Sequence, residues 1–370
     1  MTSRRHLVLA SAAALLAGAC TTRRGAGNGR APPTIAVAGL AAGAADWMVA
    51  SPESQGIAPD ALADVLRDGA LLPALRALVV VRNGVLVGER YYQGASTDEL
   101  MPVNSVTKSV ASVLVGQALQ QGRLPGLSAS VGSLLPEAAA KVPGSAAARL
   151  TLQQILTGRT GLEYDWRSQT PVLAASADPI GMALALPTDP AAVDTWRYND
   201  AAVNLLGPIL ARAHGRDLAD VAARDLFAPL GIDRFAWART GSGDPSTYGG
   251  LRLRPRDLAR LAWTMADGGR WRGAQVVPAP WVAASLRPAG PADWRVAPVR
   301  DVGYGLLWFT GQLHGRRVAW GWGYGAQFAL VVPELRLAVV TAATAGRLGE
   351  VAAQNNAVMG LVARVVNATA

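Results

Sequence analysis

Stretches with β patterning sit near opposite ends of this chain, and that placement restricts the available folds more than any other feature. Near the start, Ala77-Leu78-Val79-Val80-Val81 and the run Val85 to Tyr91 flank Arg82-Asn83-Gly84, a strong hairpin signal. Near the end, Val318 to Trp322, Ala326 to Val332 and Leu335 to Ala342 alternate as further strands around a Pro333-Glu334 turn, and Val351 to Val366 predicts a closing helix. The middle is different. Residues 124–245 carry helix-like stretches, Leu152 to Leu156, Ala201 to Ala213 and Leu218 to Leu226, separated by Pro, Gly and Asp loops. One antiparallel sheet built from both chain ends, flanked by helices and interrupted by an all-helical insertion, satisfies this order. The expected class is α+β, an α/β sandwich.

The first residues are a targeting segment. Arg4-Arg5 precede an apolar run from Leu7 to Ala17, and Ala17-Gly18-Ala19 leads into Cys20, where a bacterial lipoprotein signal would be cut and lipidated. The run is too short for a conventional membrane span. Residues 1–19 are therefore expected to be an export signal and residues 20–45 a flexible tether, with residues 46–370 the folded domain. Within that domain, 46–123 and 246–370 form an α/β subdomain and 124–245 a helical one. The expected location is the bacterial periplasm or cell envelope, with the membrane contacted through a lipid anchor on Cys20.

Composition excludes several functions. With Cys20 the only cysteine, no disulfide staples the fold, so the 51% hydrophobic content must supply the core. Removing Arg4 and Arg5 with the signal lowers the net charge from +9 to +7. The densest basic cluster, Arg252, Arg254, Arg256 and Arg260, lacks interleaved aromatics and is expected to be solvated, so no nucleic-acid partner is expected. Of the three histidines His6 is in the signal, and His214 and His314 read as surface residues. Neither a metal cluster nor a Ser-His-Asp triad follows. Gly321, Gly323 and Ala326 match a relaxed dinucleotide fingerprint, but another strand follows where a helix is needed. No cofactor is expected.

Against 33 arginines the chain holds two lysines, Lys108 and Lys141. Arginine cannot give up its proton at physiological pH, so a retained lysine marks a place where a titratable amine is useful. Lys108 follows Ser105 by three residues at the start of a segment, Ser105 to Gln121, with apolar residues at helical intervals. Positions i and i+3 share a helix face, which brings the amine to the hydroxyl. The helix N-terminus and burial both disfavour the cation, making Lys108 a candidate base and Ser105 its nucleophile. The Ser105 N–H at the helix start is available to an oxyanion.

Several elements together resemble the serine β-lactamase and penicillin-binding-protein fold. They are two N-terminal strands, Ser105-x-x-Lys108, Tyr198-Asn199-Asp200 in the helical region and the late Gly321-Trp322-Gly323 strand. Leu156-Thr157-Gly158-Arg159-Thr160-Gly161-Leu162 and Tyr248-Gly249-Gly250-Leu251-Arg252-Leu253 strengthen the likeness. It covers about residues 47–366 and points to the class C β-lactamase-related hydrolases, the branch of carboxylesterases and 6-aminohexanoate-dimer hydrolases.

The resemblance implies a site. Tyr198 takes the place of the family tyrosine that relays a proton with Lys108 and protonates the leaving group. The Tyr324 N–H completes the oxyanion hole with that of Ser105. Tyr164, Asp200, Trp322 and Gly323 border the substrate; the tryptophans Trp166, Trp196, Trp320 and Trp322 are candidates either to line an apolar acyl pocket or to pack the core. Two departures stand out. Asp200 replaces the asparagine of β-lactam-active members, and Gly321-Trp322-Gly323 lacks the cation of their Lys-Thr-Gly or His-Thr-Gly. The leading expectation is therefore a serine hydrolase acting on a small-molecule ester, amide or peptide-like substrate through an acyl-enzyme. A β-lactamase or DD-peptidase is the alternative, and a non-catalytic binding protein on the same fold is a second.

Overall fold

The computed structural model describes residues 34–36 and 46–370. Its centre is an eight-stranded antiparallel sheet of β1 (Leu75–Arg82), β2 (Val85–Tyr91), β3 (Gly290–Pro291), β4 (Arg300–Tyr304), β5 (Phe309–Leu313), β6 (Arg316–Gly323), β7 (Gln327–Val332) and β8 (Leu337–Ala343). The order is β2-β1-β8-β7-β6-β5-β4-β3. The two ends of the chain meet where β1 pairs β8, with Val80 opposite Val339. Both neighbouring strands are apolar there, so the junction lies in the core. The β1–β2 hairpin turns on Asn83 and Gly84, whose φ of 52° and 82° are those a type I′ turn requires. A smaller sheet orders Thr34–Ala36, Arg234–Trp237, Leu251–Leu253 and Met101–Pro102.

Helices flank the large sheet. Helix α1 (Pro59–Asp68) starts with proline at its first position, buries Leu62 and Val65, and packs on β2. Helix α2 (Val106–Gln120) is buried almost all round, as an interior helix should be, and lies against β6 and β7. Helix α3 (Pro255–Ala266) packs on β1, β7 and β8, and the C-terminal α4 (Val351–Asn367) packs on α1 and β8. Among the described residues no helix is long and apolar enough to cross a membrane.

Several sequence expectations need correction. Residues 34–36, inside the expected tether, pair as a strand with 234–236; residues 1–33 and 37–45, including the export signal and Cys20, lie outside the described residues. Strands β4 and β5 escaped the pattern because glycines at 303 and 311 and a register shift between Arg300 and Gly303 interrupt their alternation. The expected helix over Ala201 to Ala213 divides into Asp200–Asn204 and Leu206–His214. Pro208 explains the break, because it has no N–H to give the Asn204 carbonyl. Leu218 to Leu226 likewise passes from an α-helix to a π turn at Ala223.

Two polar assignments change as well. The His214 side chain is 1% exposed, packed 3.9 Å from Asp225, and burial lowers its pKa. The arginine cluster is not freely solvated: Arg254 pairs with Asp233 and Asp257, Arg256 with Asp46 and Glu89, and Arg260 is buried beside Asp257. These arginines tie α3 to its surroundings, a use of positive charge that a count of residues does not reveal.

Candidate active site

The Ser105 turn is fixed from three sides. Pro102 and Met101 pair with Arg252 and Leu253, and the Val103 N–H donates to the Leu251 carbonyl, so the chain enters from the small sheet. Asn104 then adopts a left-handed φ of 48°, which Asn tolerates better than most side chains. Its amide donates to the Tyr324 carbonyl at 2.7 Å, and Thr107 Oγ1 returns a bond to the Asn104 carbonyl at 2.6 Å. Ser105 follows as the N-cap of α2.

Glycines let β6 approach this turn. A Cβ on Gly323 would meet the Val103 carbonyl at 2.3 Å, and one on Gly321 would meet Ser109 Oγ and Val106 Cγ1, both at 2.9 Å. The strand therefore reaches the Ser105 turn only because both positions are glycine. Tyr324 lies in the turn just after β6. Among the described residues, neither the Ser105 N–H nor the Tyr324 N–H is engaged in a turn, loop or cap hydrogen bond.

One helical turn on, the Lys108 amine is 3.1 Å from Ser105 Oγ, 2.8 Å from the Tyr248 carbonyl and 2.6 Å from Asp200 Oδ1. The amine thus has two hydrogen-bond acceptors, Ser105 Oγ and the Tyr248 carbonyl, and one ion-pair partner, Asp200. The amine also lies 4.5 Å from the centre of the Tyr198 ring. Burial pushes its pKa below the ordinary lysine value, and Asp200 opposes that shift. Ser105 lies near enough to the Tyr198 phenol to favour its ionised form slightly. Burial holds that phenol far above its ordinary pKa, with Asp200 and Tyr304 adding to the effect, so it stays a proton donor.

Asp200 opens the short helix Asp200–Asn204, capped by the Asn199 side chain, which accepts from the Ala202 N–H at 2.9 Å. Its second oxygen accepts from Thr170 Oγ1, which lies 3.0 Å from the Tyr164 hydroxyl. Tyr164 is thus joined to Lys108 through Thr170 and Asp200. Trp322 lies apart from this chain, edge-on to Trp294 at 5.4 Å and to Phe309 at 5.1 Å. Trp320 is fully buried and stacks on Phe309, in the core. Trp196 joins the same aromatic group, 5.8 Å from Trp294, while Trp166 spans from Trp294 at 5.7 Å to Tyr324 at 6.4 Å.

Four contributors escaped the sequence reading. Trp294 stacks on the Tyr198 ring at 4.5 Å, and Tyr304, Thr170 and the Tyr248 carbonyl complete the surroundings of Tyr198, Asp200 and Lys108. Tyr248 sits in one of the stretches that carried the resemblance, but a backbone acceptor leaves no residue-type signal. A small cavity lined by Lys108, Tyr198, Trp196 and Tyr304 lies among them. No group of His, Cys, Asp or Glu among the described residues could hold a metal ion. The arrangement gathers a hydroxyl, an amine and a phenol in one buried site, which is the equipment of nucleophilic and acid–base chemistry.

Comparison with known proteins agrees with the architecture. The family model described as Beta-lactamase matches residues 72–364. The 6-aminohexanoate-dimer hydrolase of Paenarthrobacter ureafaciens is 27% identical over 230 residues, 57% of this chain, and the chain spans 56% of that relative's length. The D-amino acid amidase from Ochrobactrum anthropi SV3 has the same fold, with a TM-score of 0.66 at 18% identity over 84% of this chain and 97% of its own. The class C beta lactamase from Rhodobacter sphaeroides gives 0.59 at 19% identity over 83% and 99%. With the family match running from just before β1 into α4, the chain belongs to the Beta-lactamase family.

Proposed function

We propose that this protein hydrolyses an ester or amide bond through an acyl-enzyme on Ser105. The observation that carries this reading is the buried Lys108 amine 3.1 Å from Ser105 Oγ and 4.5 Å from the centre of the Tyr198 ring. Ser105 attacks the carbonyl carbon while its proton passes to Lys108. The Ser105 and Tyr324 N–H groups receive the oxyanion. Tyr198 protonates the leaving group and regains its proton from Lys108, after which water repeats the sequence to release the acid.

The third motif favours esters and simple amides over β-lactams. Gly321-Trp322-Gly323 places no cation where a β-lactam carboxylate would need one, and the aromatic group around Trp294 offers an apolar surface instead. The sequence pattern before Cys20 supports an exported enzyme on a lipid anchor, tested by whether globomycin blocks processing of the precursor.

The test of the activity compares wild type with Ser105→Ala on p-nitrophenyl acyl esters, a chromogenic cephalosporin and a fluorophosphonate probe. Wild type should label and turn over esters, and the alanine variant should do neither. Cephalosporin turnover above that of esters would move the assignment to a β-lactamase, and a wild type inert to all three reagents would rule out catalysis.

A further inference from the structure

The mechanism above needs Lys108 as a neutral amine, yet its two hydrogen-bond acceptors and the carboxylate beside it suit an ammonium. Ser105 Oγ and the Tyr248 carbonyl cannot take a proton from it usefully: the first is itself the group to be deprotonated, and the second is a peptide oxygen. The remaining acceptor is the Asp200 carboxylate, 2.6 Å away, with side-chain exposures of 3% for Lys108 and 5% for Asp200. Lys108 is the only cation paired with Asp200 among the described residues. The other titratable groups facing the carboxylate are Tyr164, Tyr198, Tyr248 and Tyr304, and burial is the leading reason that each stays protonated above its ordinary range. Thr170 fixes the second carboxylate oxygen.

We infer that Asp200 receives the proton that Lys108 must lose, so that the working base is the Lys108–Asp200 pair and not the lysine alone. This rests on the acyl-enzyme reading of the site. In the resting pair, Lys108-NH3+ and Asp200-COO− share one mobile proton. Its transfer gives Lys108-NH2 and Asp200-COOH, and no charge enters or leaves the buried site. Ser105 Oγ–H then gives its proton to the Lys108 amine as Oγ bonds to the carbonyl carbon, leaving an oxyanion beside Lys108-NH3+. The leaving group takes the Tyr198 proton, Lys108 restores it, and Asp200 keeps its proton until it returns it to Lys108 after deacylation. Burial favours this internal exchange, because separating the proton to solvent would leave a lone carboxylate in an apolar site. The asparagine that the family's β-lactam-active members carry could not hold the proton.

The direction of a pH shift separates this from a structural ion pair. If the pair with one proton is the active form, activity falls only when the pair takes up a second proton, and the acid limb lies low. Replacing Asp200 by asparagine leaves Lys108 to lose its proton to solvent, so the limb moves up. If Asp200 merely keeps Lys108 charged, its removal releases the amine and the limb moves down.

The readout is the rate of fluorophosphonate acylation of full-length wild type and Asp200→Asn across the pH range, with thermal unfolding as the check on folding. The variant should be at least about tenfold slower near pH 7, from a limb moved up by about one unit or more, and within about threefold of wild type near pH 10. Asp200→Ser should behave like the asparagine variant, and it takes that variant's place should the latter not fold. An acid limb that moves down or stays in place, or a folded variant inactive at every pH, overturns the inference while the acyl-enzyme reading stands. A wild type that never labels removes both.

Discussion

The Asn104 side chain donates to the Tyr324 carbonyl at 2.7 Å, tying the turn before α2 to the turn after the glycine-rich strand. Both backbone donors assigned to the oxyanion belong to these two turns. Replacing Asn104 by leucine removes the bond and places a side chain ill suited to φ 48° at this position. The cost to stability should be about 1–3 kcal/mol. Acylation should slow by about tenfold or more, since one misplaced oxyanion donor has an effect of that order or larger. Unfolding curves and labelling rates measured on the same preparation check it, and unaltered labelling would count against the link.

Gly323 is the tighter of the two close approaches. Gly323→Ala places a methyl 2.3 Å from the Val103 carbonyl, which is backbone and cannot swing away, whereas the Cβ of Gly321→Ala meets side-chain atoms at 2.9 Å. The first variant should lose about 1–3 kcal/mol and most of its acylation rate, the second less of each. Equal losses in both would mean that the strand has room to move.

These positions also show where the sequence is informative. Ser105 and Lys108 are neighbours along one helix, so their spacing alone announces their meeting, and Asn83-Gly84 announces its hairpin because the turn is local. Asp200 was visible as a departure from a familiar pattern, but its contact with Lys108 needs the helical region folded against α2. Trp294 lies in a loop between β3 and β4, distant in sequence from Tyr198, and no periodicity marks it. Thr170 acts through one hydroxyl and Tyr248 through a carbonyl every residue has. What was legible is local or carried by rare residue types, and what was missed arises from tertiary contact between common ones.

Removing Lys108 alone should be worse for the fold than removing the pair. Lys108→Met leaves Asp200 buried with its compensating charge gone, and should cost about 3–5 kcal/mol. Adding Asp200→Asn removes the stranded charge and should restore a large part of that loss without restoring activity. A double-mutant cycle by chemical denaturation gives the coupling directly. Strict additivity would show that the two side chains do not share an environment.

All seven tyrosines are held above their ordinary pKa, chiefly by burial. Tyr92 and Tyr248 are pushed up to about 12 from 10.0. In the unfolded chain these phenols ionise near their ordinary value, so between about pH 10 and 12 the unfolded state binds fewer protons than the native one. The stability these groups confer is therefore complete below about pH 10 and falls as pH rises through that window. Native protein should develop little tyrosinate absorbance at about pH 10, where a denatured sample is half ionised. Matching titration curves for the two samples would show the phenols to be solvated.

Trp294 stacks on Tyr198 at 4.5 Å with an interplanar angle of 26°. In the proposed mechanism the phenol delivers a proton at Ser105, and the ring is contacted by Trp294 and by the Lys108 amine at 4.5 Å from its centroid. Trp294→Ala removes the stacking partner, with a loss of about 0.5–1.5 kcal/mol in the aromatic contact beyond the buried area. In the proposed mechanism Tyr198 acts on the leaving group, so the defect should appear mainly in kcat and should grow as the leaving group becomes more basic. An activated p-nitrophenyl ester should therefore suffer less than an alkyl ester of the same acyl chain, and Trp294→Phe should recover most of the difference. A loss confined to KM, equal for both esters, would assign Trp294 to substrate packing in place of orientation of the phenol.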